Sequence, residues 1–295
     1  MNEDRFIAAL TRKWKASASM PVGPGDDCAV VVPQKGGPAL FFKTDAVVEG
    51  LHFTARTPGP LVGRKALARN LSDAAAMGGT PTHALVTLAL PPGFSPARIA
   101  AIYRGIEALA HRHGVALAGG ETTRSPKLLL SVTLLGTFPS RPLLRSGGRA
   151  GDDLWVTGTL GASLRGGNRA KHLAFEPRLA EGAWLAKHGL ATAAMDLSDG
   201  LAADLPRLAK ASRCGFRLDR TAIPRTPRAT LRAALTDGED YELLFAAPAA
   251  SRVRLERAWK KSFPSLRLTR IGALTKPGAG EKPASLGRGY DHLEK

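Results

Sequence analysis

Seven acids of this 295-residue chain stand beside glycine or at the ends of apolar runs. They are Asp26 and Asp27 after Gly25, Asp45 after Thr44, Asp73 in Asn70-Leu71-Ser72-Asp73, Glu121 in Gly119-Gly120-Glu121-Thr122-Thr123, and Asp196 and Asp199 in Asp196-Leu197-Ser198-Asp199-Gly200; Glu239-Asp240 follows further on. If they converge in one cleft, their carboxylates repel and cannot all ionise without cations. Oxygen ligands at that density suit Mg²⁺, which shares its shell with waters and substrate phosphates. The chemistry they suit is phosphoryl transfer, in which metal ions neutralise a γ-phosphate and hold it in line with an acceptor.

The common phosphate loops are missing: there is no Gly-x-x-x-x-Gly-Lys-Ser/Thr, no Gly-x-Gly-x-x-Gly opening a helix after a strand, and no kinase His-Arg-Asp set. A nucleotide would be held through metals, backbone amides of glycine turns, and a few Arg or Lys. Ser198 has no histidine base nearby in sequence, which disfavours a serine nucleophile. His111 and His113, two apart on a helix, face different ways and make a poor metal pair.

The elements that must position these acids are legible from periodicity. A helix beginning near Leu61 carries Leu67, Leu71 and Ala74 on one face, runs through Asp73 and stops at Gly78-Gly79. Asp73 thus lies near a helix C-terminus, where the partial negative charge of free carbonyls calls for a compensating cation; on a solvated face that cation is Lys65, Arg69 or Arg64. Strands are expected at Ala29–Val32, at Ala39–Thr44 ending on Asp45, at Thr82–Leu90, at Val115–Ala118 running into Gly119, and at Leu128–Phe138. Ser95-Pro96 starts a helix striped by Ile99, Ile102, Ile106 and Leu109, with Tyr103 beside the stripe as a packing residue. Downstream, strands are expected at Leu154–Thr157, Ala191–Met195, Phe216–Leu218, Tyr241–Ala246 and Leu266–Leu274, with helices at Arg178–Leu190, Leu201–Ser212 and Ala250–Phe263. The Gly/Arg/Pro-rich segment Pro139–Gly151 separates a first domain, 1–139, from a second, 140–295.

Composition excludes several classes. With 44% hydrophobic and 23% charged residues the chain is globular rather than disordered. No apolar run reaches the roughly 18 residues of a membrane span, and the start lacks a signal-peptide pattern, so no membrane role is expected. Two cysteines, Cys28 and Cys214, form neither a disulfide framework nor a metal motif, which points to a reducing cytoplasm. The net charge of +17 raises nucleic acid, but the basic residues are scattered without aromatic interleaving; the run Arg252 to Lys261 reads as a solvated helix face, and no nucleic-acid partner is expected.

Six motifs in order then resemble the thiamine-monophosphate kinase family of the aminoimidazole ribonucleotide synthetase-like ATP-binding superfamily. They are Gly25-Asp26-Asp27-Cys28-Ala29-Val30; Thr44-Asp45 with Glu49-Gly50-Leu51-His52-Phe53; Asn70 through Gly78; Gly119 through Arg124; Asp196-Leu197-Ser198-Asp199-Gly200-Leu201; and Gly238-Glu239-Asp240-Tyr241-Glu242-Leu243-Leu244-Phe245. The resemblance implies a two-domain α+β and α/β fold, with N-terminal domains joined in a dimeric barrel and a C-terminal α/β domain alongside. It implies direct transfer of the ATP γ-phosphate to thiamine monophosphate, giving thiamine diphosphate with several Mg²⁺ ions, in a homodimer and without a phosphoenzyme. By motif position, Asp27, Thr44, Asp45, Asp73, Glu121, Asp196 and Asp199 hold metal, with Asp45, Asp73 and Asp199 central to catalysis. Tyr103, Gly120, Glu121, Arg145 and Ser198 contact ATP, and His52, Glu239 and Tyr290 meet the thiamine.

Three departures stand out: Glu121 where the family usually has Asp, Lys43 where it has Ser or Thr, and a short interval between Asp199 and Glu239. They keep open a related ATP-dependent enzyme of the superfamily with another acceptor, or a non-catalytic nucleotide-binding paralogue.

Overall fold

The computed structural model describes residues 3–293. In chain order its elements are α1 (Glu3–Thr11), β1 (Ala29–Val31), β2 (Leu40–Val48), α2 (Gly59–Ala76), β3 (Thr80–Leu90), α3 (Pro96–Arg112), β4 (Ala116–Arg124), β5 (Leu129–Thr137), β6 (Asp152–Thr157), α4 (Lys171–Ala174), α5 (Leu179–His188), β7 (Ala193–Asp196), α6 (Leu201–Ala211), β8 (Gly215–Leu218), α7 (Leu231–Thr236), β9 (Leu243–Pro248), α8 (Arg252–Ser262) and β10 (Leu268–Thr275). They make two five-stranded sheets, β1-β2-β5-β3-β4 and β7-β9-β6-β10-β8. The first sheet is antiparallel except for the parallel pair β3–β4, and the second is antiparallel throughout.

α2 joins the two halves. Pro60 lies in its first turn, and Gly78 at φ +70° follows its C-terminus, as the Gly-Gly pair requires. Buried residues from Gly59 through Ala76 leave no broad solvent face, the mark of a core helix rather than a surface one. α2 packs on α3, β2 and β5 of the first half and on α5 and β7 of the second. Two glycines permit the α2–α3 approach: a Cβ at Gly63 would lie 1.9 Å from the Ile102 carbonyl oxygen, and one at Gly105 2.0 Å from that of Pro60.

The register of the first sheet sorts its side chains. In β2, Phe41, Lys43, Asp45 and Val47 alternate toward α2, while Phe42, Thr44 and Ala46 point to the opposite face. That opposite face is open, and Phe42 and Leu85 stand 51% and 46% exposed on it.

Two strands differ from their expected bounds for local reasons. β4 does not stop at Ala118 but continues to Arg124, because glycine alone allows its close pairing with β3: a Cβ at Gly120 would meet the Val86 carbonyl oxygen at 1.8 Å. The strand expected from Tyr241 begins instead at Leu243, because Glu239 and Tyr241 both take positive φ, +52°, in the turn before it.

Candidate active site

The spacing of α2 sets one row of the site. Lys65, Arg69 and Asp73 recur every four residues and lie on one side of the helix, with Ser72 beside them. Asp73 does not pair with a helix neighbour, as expected on a solvated face. Lys65 goes to Glu239, Arg69 to Asp45 and Arg64 to Glu176, and the cation at Asp73 is Lys43 of β2, 3.0 Å away. A side chain from a neighbouring strand thus offsets the unfavourable helix end.

Asp73 meets two acids from other elements. Asp27 enters from the turn before β1 and Asp196 from the end of β7. One carboxylate oxygen from each of Asp27, Asp73 and Asp196 lies within 4.8 Å of the others, and all three residues are buried. Arg145 donates to Asp27 at 2.6 Å, and the Ser72 hydroxyl donates to Asp196 at 2.5 Å. Asp27 Oδ2 is buried without a hydrogen-bond partner. Burial and then the charge of Asp27 push the Asp196 carboxyl up to about 7. Burial also raises Asp73 well above its ordinary value; Lys43 opposes this, and Asp196, Asp45 and Asp27 add to it. Burial pushes Lys43 down, but Asp73 and Asp45 outweigh it and hold the ammonium above its ordinary range.

Around this triad Asp45 and Asp199 line the same cleft, a cavity of about 260 Å³. Each has a guanidinium: Arg69 at 3.1 Å from Asp45, and Arg207 at 2.5 Å from Asp199. Arg207 also reaches Asp204 at 2.9 Å and Asp4 of α1 at 3.1 Å.

A second, smaller cavity of about 70 Å³ adjoins the first, sharing Arg69, Ser198, Asp199, Tyr241 and His292 in its lining. His52, Glu239 and Tyr290 line it together. The His52 Nδ1 accepts the Val48 amide proton at 3.1 Å, so the neutral ring carries its proton on Nε2. Burial, and then the charges of Arg69 and Lys65, lower the His52 pKa to about 4. Burial opposes ionisation of Glu239, but His172 at 2.9 Å and Lys65 at 2.7 Å win and hold it down to about 2. Lys65, fully buried, donates also to the His52 carbonyl at 2.8 Å. The C-terminal tail is docked here: the Tyr290 amide donates to the Asp199 carbonyl at 2.9 Å.

The structure thus brings Asp45, Asp73, Asp196, Asp199, Ser198 and Arg145 to one cleft, with Asp27 buried beside Asp73 and Asp196, and His52, Glu239 and Tyr290 to its neighbour. Thr44 is not among them: its hydroxyl lies on the open face of the first sheet, 3.2 Å from those of Ser131 and Thr133. Glu121 shares that face through the register Glu121, Thr87, Ser131, Ala46, and with Gly120 it is exposed on edge strand β4. Tyr103 packs on the first core from α3. Sequence reasoning missed the site roles of Lys65, Arg69, His172, Arg207 and Tyr241, naming Lys65 and Arg69 only as counter-ions for Asp73. The four-residue spacing of Lys65, Arg69 and Asp73 was the available signal for two of them.

The chain matches the family described as AIR synthase related protein, its N-terminal domain over residues 25–138 and its C-terminal domain over residues 149–276. It is 37% identical over 292 residues to the thiamine-monophosphate kinase of Rhodopirellula baltica, covering 92% of this chain and 88% of that protein. It is 37% identical over 306 residues to that of Escherichia coli K12, covering 92% of each. Among solved structures it is similar to AaThiL complexed with AMPPCP and TMP, with a TM-score of 0.83 and 28% identity over 99% of this chain and 97% of that one. Thiamine-monophosphate kinase from Stenotrophomonas maltophilia K279a gives a TM-score of 0.75 at 34% identity over 94% of each chain. E. coli HypE, at 20% identity and a TM-score of 0.72 over 99% of this chain and 98% of that one, shares the fold. Residues, fold and relatives agree: the chain belongs to the thiamine-monophosphate kinase family, enzymes of the AIR synthase related group.

Proposed function

We propose that this enzyme transfers the γ-phosphoryl group of ATP directly to the phosphate of thiamine monophosphate, forming thiamine diphosphate and ADP. The observation that carries this reading is the buried triad Asp27, Asp73 and Asp196, of which Asp73 and Asp196 line the cleft that adjoins the pocket of His52, Glu239 and Tyr290. The donor set fits Mg²⁺: all-oxygen ligands, carboxyls burdened by mutual repulsion, and the unpartnered Asp27 Oδ2. Asp27, Asp45, Asp73, Asp196 and Asp199 would hold the ions, and when bound these neutralise phosphate charge and polarise the transferred group.

The residues of the chain do the positioning. Arg145 braces Asp27, Arg69 braces Asp45 and Arg207 braces Asp199, so the carboxylates are held in place before substrate arrives. Neutral His52 offers an Nε2 proton to the pocket, Glu239 stays ionised beside a cationic thiazolium, and Tyr290 gives an aromatic face for a ring. Phosphate attacks phosphate, so no protein nucleophile is needed. The test is chromatographic: thiamine monophosphate, ATP and Mg²⁺ should yield thiamine diphosphate, and ATP turnover without that product would overturn the reading.

The open face of the first sheet, with Phe42 and Leu85 exposed and β4 free along one edge, supports a homodimer closed over it. Such closure would carry Gly120, Glu121 and Tyr103 of one protomer toward the cleft of the other, reconciling their expected ATP contacts with their place in a single chain. Sedimentation should give twice the 31.1 kDa chain mass; a monomer would remove this part of the reading. No helix among the described residues is long and apolar enough to cross a membrane. The free thiols Cys28 and Cys214 support a reducing cytoplasm as the site of activity.

A further inference from the structure

Resting on the Mg²⁺ and ATP reading of the cleft, we propose that Lys43 is a resident cation of the active site, its ammonium standing in for one divalent ion at Asp73. The chain then binds one divalent ion fewer, alongside nucleotide, than the same chain with a neutral residue at position 43.

Strand alternation turns residue 43 to the same face as Asp45 and toward α2, so whatever stands there points into the acid cleft. The Lys43 Nζ lies 3.0 Å from Asp73 Oδ2, with the two side chains 23% and 11% exposed. The guanidinium groups of Arg69 and Arg207 differ in kind. Arg69 also donates to the Ala46 carbonyl, and Arg207 is shared among Asp199, Asp204 and Asp4, which makes them braces of the surrounding backbone and loops. Lys43 is instead a compact point charge delivered to one ligand oxygen, as a metal ion would be.

The two sides of the triad are accordingly unequal. On one side Asp27 Oδ2 is buried and unpartnered, an oxygen ready for an incoming cation. On the other, Asp73 Oδ2 is already engaged by the ammonium. In the ionised form that metal binding requires, three carboxylates face two protein cations, Lys43 and Arg145, leaving one net negative charge at the triad. Removing the Lys43 charge would leave two, enough to call in another divalent ion. A divalent ion as close to Asp73 as this ammonium would repel it strongly, so the two occupy the position alternatively.

The test counts metal directly. Mn²⁺ is titrated into the purified protein with a β,γ-methylene ATP analogue, and free Mn²⁺ is followed by electron paramagnetic resonance for the parent, Lys43→Thr, Lys43→Met and Lys43→Arg. The expected result is one additional Mn²⁺ per chain in both neutral variants and the parental count in Lys43→Arg. Melting without metal should fall in the neutral variants, and the rise on adding Mn²⁺ should exceed that of the parent. An ordinary stabilising ion pair would lower melting and leave the count unchanged, and that result overturns the proposal while the metal reading stands. If neither the parent nor the variants bind Mn²⁺ with nucleotide, the metal reading falls and the proposal with it. Two neutral side chains of different shape keep the test decisive if one of them folds poorly.

Discussion

Asp73→Asn separates the proposed catalytic role of this acid from its role in the fold, because the two respond oppositely. At an effective dielectric of 20, repulsion from Asp27 and Asp196 within 4.8 Å is worth at least about 3.5 kcal/mol per pair, and attraction to Lys43 at 3.0 Å about 5.5 kcal/mol. The two repulsions thus exceed the attraction by at least about 1.5 kcal/mol, and burial adds a cost that only the charged form bears. Asn keeps the shape and one hydrogen-bond acceptor while removing that cost. The metal-free variant should therefore melt within about 5 °C of the parent, or above it, at about 2–4 °C per kcal/mol for a chain of this size. Turnover should fall at least about 1,000-fold, the scale of losing one preorganised electrostatic contact in a transition state. Thermal melts with and without Mg²⁺, beside a coupled assay, measure both effects. Turnover within tenfold of the parent would refute a ligand role for Asp73, and a collapse of the metal-free fold would make the acid structural.

Lys65→Met strips Glu239 and the His52 carbonyl of a fully buried partner; a loss of about 3–5 kcal/mol is expected in urea melts, with a weaker affinity for thiamine monophosphate. Gly63→Ala sets a methyl 1.9 Å from the Ile102 carbonyl oxygen and should destabilise the protein by at least about 1–3 kcal/mol through separation of α2 from α3, visible as a lower melting temperature. His52 should titrate by NMR at about 4 rather than near 6.5. The sign follows from that lowered value: the folded state favours the neutral ring, so stability is undiminished above about 6.5 and falls as pH drops toward 4. A midpoint near 6.5 would show that His52 is neither buried nor locked by the Val48 amide.

The local chemistry was legible where it is carried by short-range pattern. The Ser95-Pro96 start of α3, the glycine stop of α2 and the acids at strand mouths each follow from spacing or backbone demands within a few residues. What lay beyond reach depends on pairing between distant segments. Lys43 is matched to Asp73 by how β2 lies on α2, and Lys65 to Glu239 across 174 residues, neither of which periodicity encodes. The facing of Thr44 and Glu121 turns on strand parity, which the register shift between Ala84 and Leu85 resets where β3 meets β4. Positive φ at Glu239 and Tyr241 is likewise imposed by tertiary contacts, since neither residue type announces it.

Direct transfer between two phosphates inside the acid cleft leaves a distinctive isotopic trace. The most direct measurement uses ATP labelled in its γ-phosphate, with thiamine monophosphate and Mg²⁺ in a single turnover, followed by separation of protein, nucleotide and thiamine esters. Label is expected in the terminal phosphate of thiamine diphosphate, one for each ADP formed, and none on the protein. Label retained on the protein, or released only as inorganic phosphate, would contradict direct transfer.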